Sequence, residues 1–542
     1  MQSPKKGLHP NWKTKLGGVQ AQRHAGGRAF EDLNPTGGKL APSVISVGHP
    51  LFRSWPENCV ITVLVFHGYH YQTHMFRIFN QYVSAKSFLL LILESFLMVL
   101  CMICAVKVRF WNDPMELARY EIWPDFEVQI ALVVLVCLIC FYFNDLYNLK
   151  TRDNPMERIL RVEQSLGAAS LLLGLFYFLF PGMLLSRYVF FIGMLLIGMF
   201  LGLGRRALDK AWQMSAPVQR VAILGTGPLA LELARELTRR GDLSMRVEGF
   251  LSTSPSSQAA EKIFGFPVLG STADLEAIAG DHAISRIIVA LEDRRGALPT
   301  RELVTLRVKG LRIDDAPTAL SALTGRISLH AVRPSWFVFS EGFHRSKWNE
   351  VLKRALDLAV GIVGMVVALP LMILVAIAVR LESKGGVIYR QTRVGRRDKC
   401  FELVKFRSMC VDAEKAKGAQ WASKNDPRVT RIGRFLRKYR LDEMPQFWNV
   451  IRGDMSFVGP RPERPHFVED LRQKITYYDE RHSVRPGLTG WAQVQYSYGS
   501  SVEDAYHKLE YDLFYLKNMS LTFDLAIILK TIKIVAGGHG GR

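Results

Sequence analysis

Cysteine is scarce, seven in 542 residues, and four of the seven stand where they can do little chemistry. Cys101-x-x-Cys104 and Cys137-x-x-Cys140 have the spacing of paired metal ligands, but both lie inside apolar runs, where a zinc site would bury thiolates in lipid. They read as small, polarizable helix-packing residues. The remaining cysteines suggest no disulfide framework. Residues 1–74, rich in Gly, Pro, Lys and Arg, lack the apolar core of a secretion signal, so a basic, disordered region is expected over 1–80. The chain becomes better ordered from Met75, and translation starting near Met75 is a reading that the intact mass of the native protein decides. Acids are also in short supply: 49 Asp and Glu stand against 70 Lys and Arg, a formal net charge of +21. That balance suits anionic headgroups and phosphate-bearing substrates, although a nucleic-acid partner would give the same sign.

What the sequence has in quantity is apolar length. Four runs, Ser87 to Val106, Val128 to Phe143, Ser165 to Phe180 and Tyr188 to Leu203, come near the roughly 20 residues a helix needs to cross a bilayer. Four transmembrane helices over 81–212 make nucleic acid the weaker reading of the charge, and none is expected as a partner. Lys150, Arg152, Arg158 and Arg161 follow the second run, and Arg205, Arg206 and Lys210 follow the fourth. Both flanks are therefore expected in the cytoplasm, and the N-terminus with them.

After the fourth run the pattern becomes that of an α/β domain. Arg220-Val221-Ala222-Ile223-Leu224 is a buried-strand run, Gly225-Thr226-Gly227 a glycine turn, and a helical stretch continues to Arg240. Further strands at Val247 to Leu251 and Arg286 to Leu291 give a Rossmann-like domain over 216–340. A dinucleotide fingerprint also needs an acid closing the second strand to hold the ribose, and here that strand runs into Leu251-Ser252-Thr253-Ser254. A structural or regulatory domain is the favoured reading over nucleotide binding.

A fifth apolar run, Ala355 to Val379, contains Pro370. Its length permits a span. The charged, catalytic-looking sequence beyond it must stay inside if it uses a cytoplasmic nucleotide-linked substrate. A mid-helix proline removes a backbone hydrogen bond and permits a bend, so a re-entrant helix over 351–380 is expected, opening a monotopic domain over 345–542.

Within that domain Leu441-Asp442-Glu443-Met444-Pro445-Gln446 sets two adjacent carboxylates between a basic stretch and Gly459-Pro460-Arg461-Pro462. Acids among arginines suggest phosphate chemistry. Cations lower the pKa of an attacking Asp and neutralise the anion it approaches, and an adjacent Glu suits a divalent metal. A solvated helix start is the plainer alternative. Guanidinium forks grip phosphate oxygens bidentately, which makes Arg437 and Arg461 the first candidates for substrate phosphate, and Lys405 and Arg407 the second. Arg434, Lys438 and Arg440 are expected at headgroups or in solvent. Lys353 and Arg354, where the re-entrant helix leaves the interface, either meet a lipid phosphate or snorkel. The histidines, His482 among them, carry no motif.

Six motifs stand in order: Tyr389-Arg390-Gln391-Thr392-Arg393-Val394-Gly395, Lys405-Phe406-Arg407-Ser408-Met409, Arg437 to Gln446, Asn449 to Ser456, Gly459 to Pro462, and Arg485-Pro486-Gly487-Leu488-Thr489-Gly490. Together they resemble the bacterial sugar transferases, the polyprenyl-phosphate hexose-1-phosphate transferases, in their long form. Met444 stands where that family usually has Leu, a volume-conserving change. The resemblance implies that Asp442 attacks the sugar-bearing phosphate of a UDP-sugar and that Glu443 coordinates Mg²⁺. It also implies that Gln446 lines the substrate site and that undecaprenyl phosphate receives the phosphosugar. Glucose is the first choice of sugar and galactose the second; the location implied is the bacterial inner membrane, with the catalytic domain on the cytoplasmic face and a homodimer plausible. Glu510-Tyr511-Asp512, Asn518 and Asp524 fit the same pattern as framework, before an apolar helix from Leu521 to Val535.

Two rivals predict different sequences. A membrane-bound nucleotide-sugar oxidoreductase or dehydratase needs Tyr-x-x-x-Lys after the glycine turn, and the pair found, Tyr82 and Lys86, lies before it. A non-catalytic polysaccharide-export scaffold has no need of the acids and Gly-Pro motifs.

Overall fold

The structure is a computed structural model. It describes residues 75–538 except 123–125, 149–154, 184–185, 216–217, 254–261, 294, 296, 344–345, 411–412, 414–425, 497–498 and 500. The expectation for 1–74, and the charge argument from Lys150 and Arg152, lie outside these residues.

The apolar runs form helices longer than themselves: Ala85–Arg109, Phe126–Phe143, Pro155–Leu179 and Arg187–Ser215. With Lys347–Glu382, these give five helices long and apolar enough to cross a membrane. Met98, Met102, Val133, Phe141, Leu173 and Ile197 share one core, while Phe96, Leu171, Phe191 and Leu195 remain exposed. Apolar contact inside and an apolar face outside is the pattern of helices solvated by lipid. The described cysteines are all free thiols.

Arg205, Arg206 and Lys210 do not follow the fourth helix, as expected, but ride on it. Polar partners let the helix continue past Leu203: Arg205 pairs with buried Glu94 at 3.0 Å, and Asp209 takes Lys86 at 2.5 Å and Arg158 at 3.0 Å. The boundary expected at residue 80 also falls inside an element. Met75–Ile78 and Gln81–Ser84 form an antiparallel hairpin, turned by Phe79 and Asn80 at φ 52° and 57°. Positive φ at both central residues is the type I′ geometry that suits two-residue hairpins. Tyr82 is buried against Arg286 of the middle domain, far in function from any catalytic partnership with Lys86.

The middle domain is a six-stranded sheet. In spatial order its strands are Lys262–Ile263, Phe266–Ser271, Met245–Ser252, Gln219–Leu224, Arg286–Val289 and Arg312–Asp315, parallel except for the first pair. Val221 to Leu224 are fully buried, which is why that central strand reads as a continuous apolar run rather than an alternation. Gly225 takes φ 121°, where a Cβ would stand 2.7 Å from Ala290 O, and Pro228 opens the helix Pro228–Arg239.

In the last third, the long helix Lys347–Glu382 is docked near both ends, on different elements of the region that follows it. Near its start, Lys353 donates to Asp524 at 2.7 Å and Val458 O at 2.9 Å, and Arg354 donates to Val450 O and Ile451 O at 2.7 and 2.8 Å. Buried Asp357 accepts from Ser456 Oγ and Phe457 N, both at 2.9 Å. At the far end Val375 and Val379 pack with Phe406 and Leu436, and Glu382 accepts from Ile432 N at 3.0 Å. Between these anchors Val363, Val366, Val367, Leu369 and Leu374 are exposed around Pro370. The apolar helix expected near the end is present as Leu521–Ala536.

Asp357→Ala strips the acceptor from the half-buried Phe457 N–H and leaves the buried Ser456 hydroxyl with Val458 O alone. It is expected to cost about 2–3 kcal/mol and to lower the unfolding midpoint of the detergent-solubilised protein, with Asp357→Asn costing less; unchanged midpoints for both would show that the helix does not depend on this anchor.

Candidate active site

Two short helices hold the paired carboxylates. Arg431–Lys438 begins at Thr430, whose Oγ1 accepts from Gly433 N at 2.9 Å, and it ends where Arg440 takes a left-handed φ of 53°. That residue turns the chain into the single tight turn Leu441–Glu443, and Gln446–Arg452 continues beyond Pro445. Asp442 is thereby buried rather than solvated.

Cations enclose the pair from separate elements. Arg461, on the Gly459-Pro460 turn, donates to Glu443 Oε1 at 2.6 Å, and Arg440 stands 3.9 Å from Glu443 Oε2. Arg437 donates through Nε to Ser408 Oγ at 2.9 Å. Lys405 comes from the strand Cys400–Phe406, with its Nζ 5.3 Å from the centre of the Tyr389 ring. The two carboxyls respond oppositely to this shell. Burial would raise Glu443, but Arg461 and Arg440 outweigh it and hold the group below the ordinary range. Asp442 is pushed up, first by burial and then by the charge on Glu443, against the pull of Lys405, Arg437 and Arg461. The expectation that cations would lower Asp442 is therefore corrected. Its seat is dry, and a like charge lies beside it. Burial also brings Lys405 down to about 8.

A family profile described as bacterial sugar transferase matches residues 348–538. The UDP-glucose:undecaprenyl-phosphate glucose-1-phosphate transferase of Klebsiella pneumoniae is 35% identical over 321 residues, 58% of this chain and 67% of that protein. This chain belongs to the bacterial sugar transferase family. The enzyme of the same name from Xanthomonas campestris pv. campestris is 28% identical over 485 residues, 86% of this chain and 97% of that protein. A UDP-N-acetylgalactosamine-undecaprenyl-phosphate N-acetylgalactosaminephosphotransferase from Aeromonas hydrophila is 45% identical over 191 residues, 35% of this chain and 45% of that protein. A second profile, described as a CoA-binding domain, matches 142–309.

Not every candidate of this sugar transferase reaches the pair. Arg407 turns away and donates to Ser383 O at 2.8 Å and Lys384 O at 3.0 Å, closing the end of the long helix. Lys353 and Arg354 point into the protein instead of toward headgroups, Lys353 donating hydrogen bonds to Asp524 and Val458 O and Arg354 to the Val450 and Ile451 carbonyls. Gln446 is buried in the first turn of that helix. Arg440, expected outside, faces Glu443, because its left-handed backbone reverses the direction set by the preceding helix. Arg434 and Lys438 are exposed, as expected.

Two further arginines support Arg461 from behind. Arg393 donates to Pro462 O at 3.0 Å, and Arg481 donates to Arg461 O and to Asp512, both at 2.9 Å. Strand alternation carried a signal for Arg393: Tyr389, Gln391 and Arg393 are the more buried residues between the exposed Ile388, Arg390 and Thr392. Asp398, Asp479 and His482 converge closely enough for a metal, but Arg472 already donates to Asp398 at 3.0 Å and Asp479 at 2.5 Å. At the pair itself the donors are hard oxygens that suit Mg²⁺, yet two guanidiniums flank Glu443. Carboxylate oxygens are the donor type that Mg²⁺ takes.

Competitive acetylation of amines followed by peptide mass spectrometry is expected to give Lys405 a labelling midpoint near 8; a midpoint in the usual lysine range of about 10.4 would place its ammonium in water instead.

Proposed function

We propose that this protein transfers a hexose 1-phosphate from a UDP-sugar to undecaprenyl phosphate, in two steps through Asp442, as the first reaction of exopolysaccharide or O-antigen assembly. A carboxylate oxygen of Asp442 attacks the β-phosphorus, the bond to the bridging oxygen breaks, and UMP leaves with that electron pair. A phosphate oxygen of the lipid then attacks the same phosphorus, releasing the carboxylate and giving a lipid diphosphosugar. One site thus serves both halves. The observation that carries this reading is the unlike pair: a buried Asp442 near Lys405, Arg437 and Arg461, beside a Glu443 already committed to Arg461.

The cations have defined work. Arg437, Arg461 and Lys405 neutralise the diphosphate as it approaches and hold it in register with Asp442. Glu443, kept ionised, is the residue that would hold Mg²⁺ together with substrate oxygens; when bound, the ion polarises the phosphoryl group and balances charge on the departing UMP. The relatives' names include both glucose and N-acetylgalactosamine transferases, so glucose remains the first choice and galactose the second, with UDP-N-acetylgalactosamine in the same panel.

The membrane arrangement proposed is four spans and one re-entrant helix, with the catalytic domain on the cytoplasmic side of the inner membrane. At 1.5 Å per residue the 36 residues of Lys347–Glu382 would extend about 54 Å if straight. Its start meets Asp524, Val450 and Ser456 and its far end meets Phe406 and Leu436, all in the catalytic region, while the exposed apolar stretch around Pro370 lies between them. A hairpin dipping into one leaflet satisfies those contacts, and a straight span separates them.

UMP release from a panel of UDP-sugars in the presence of undecaprenyl phosphate measures the reaction. Asp442→Asn is expected to slow it by roughly 10⁴-fold and Arg461→Ala by roughly 10²–10³-fold; full activity without Asp442 removes it as nucleophile, and NAD(P)H turnover favours the oxidoreductase. The pH profile of kcat/KM tests the electrostatics. Asp442 works deprotonated, so its raised pKa puts the acid limb well above the roughly 3.9 of free aspartate, and Lys405 works protonated, so activity falls as pH rises through about 8. An acid limb at the free value would show that Asp442 is solvated.

A further inference from the structure

Sheet topology marks a second place where a ligand can sit. Gln219–Leu224 has Met245–Ser252 on one side and Arg286–Val289 on the other, so the chain leaves and returns across it in opposite directions. Open α/β sheets bind ligands outside the carboxyl ends of the strands at such a point. Here the crevice is a cavity of 900 Å³, within the roughly 300–1,000 Å³ of small-molecule sites. Glu232, Glu292 and Asp315 line its floor, and the helix Pro334–Phe339 with Ser340 and Glu341 covers it. Lys517 of the catalytic region closes one side.

The lining disfavours the phosphate ligands of dinucleotide folds. A Cβ at Gly227 would stand 2.9 Å from Glu292 Oε1, so a carboxylate already fills the space before the glycine turn where a diphosphate would approach. Four carboxylates line the cavity with two cations, Arg333 and Lys517. An anion meets the acids. A free cation meets the bases, and Lys517 already holds the face of Trp336, 4.0 Å from the ring centre. Hydroxyl groups donate and accept alike and suit such a mixed wall. Ser340, which lines the cavity, has a buried Oγ with no hydrogen-bond partner among the described residues, and a hydroxyl group could satisfy it.

We propose that this crevice binds a neutral, hydroxyl-rich ligand, a carbohydrate, between the middle domain and the catalytic domain. The site is independent of the transfer chemistry, but its wall reaches the catalytic region. Arg326 joins Glu232 to Glu510, each at 3.1 Å, and Glu510 lies on the helix Val502–Lys517 that also carries Asp512.

Hydrogen–deuterium exchange on the full chain in nanodiscs tests it, with galactose, N-acetylgalactosamine and lactose as probes and CoA, NAD, UMP and spermidine as comparators. At least one sugar is expected to slow exchange about twofold or more in 228–232, 315–322 and 334–341. The exposed-residue double variant Glu292→Gln, Glu341→Gln is expected to raise about tenfold the sugar concentration that gives half of that protection, while UMP release is unchanged. Protection confined to 437–461, protection by CoA, NAD, UMP or spermidine in place of the sugars, indifference to the double variant, or no protection by any sugar would each overturn the assignment. None of these readouts requires the transfer reaction, so its failure is separately visible.

Discussion

The ion pair between Glu443 and Arg461 is the contact on which the site depends. Without it, two adjacent carboxyls in a dry turn would compete for one proton and neither would have a fixed state. Arg461 settles the competition by committing Glu443 to the ionised form, which raises its neighbour and makes Asp442 the group that titrates. Arg461 is itself held by its carbonyl, through Arg481 and the buried Asp512, and the Pro462 carbonyl is held by Arg393. The unlike chemistry of two consecutive residues therefore rests on arginines at 393 and 481, one well before and one well after the pair in sequence.

The same logic explains the long apolar helix. Its basic and acidic residues near the start are spent on internal partners, Asp524, two helix-ending carbonyls and Ser456, so they fix the angle at which the apolar stretch leaves the domain. The far end returns to Phe406 and Leu436, beside the strand that carries Lys405 and the helix that carries Arg437. Membrane attachment and catalytic geometry consequently share elements, which is what a reaction between a soluble nucleotide sugar and a lipid phosphate requires.

Much of this was legible in sequence where the signal was local. Apolar length found the long apolar helices, the run Val221 to Leu224 with its glycine turn found the middle sheet, and the acids among arginines marked the cluster in which Asp442 and Glu443 lie among Arg437, Arg440 and Arg461. Charge alone did not say which way a side chain points. Arg461 and Arg407 both look suited to phosphate, the first more than the second, but Arg407 caps a helix end and Arg461 faces Glu443; Lys353 and Arg354 look like headgroup ligands and are half-buried hydrogen-bond donors to internal partners. Arg440 was misread because a single left-handed residue reverses the direction its helix implies. The sign of the Asp442 shift also needed structure, since neighbouring cations are visible in sequence and desolvation is not.

Peptide mapping after brief incubation with a UDP-sugar, acid quench and mass spectrometry tests the division of labour between the two carboxylates most directly. A phosphosugar on Asp442 that accumulates when undecaprenyl phosphate is withheld, and is discharged when it is added, is the predicted result. A phosphosugar on Glu443, or a competent enzyme that never carries one, would contradict it.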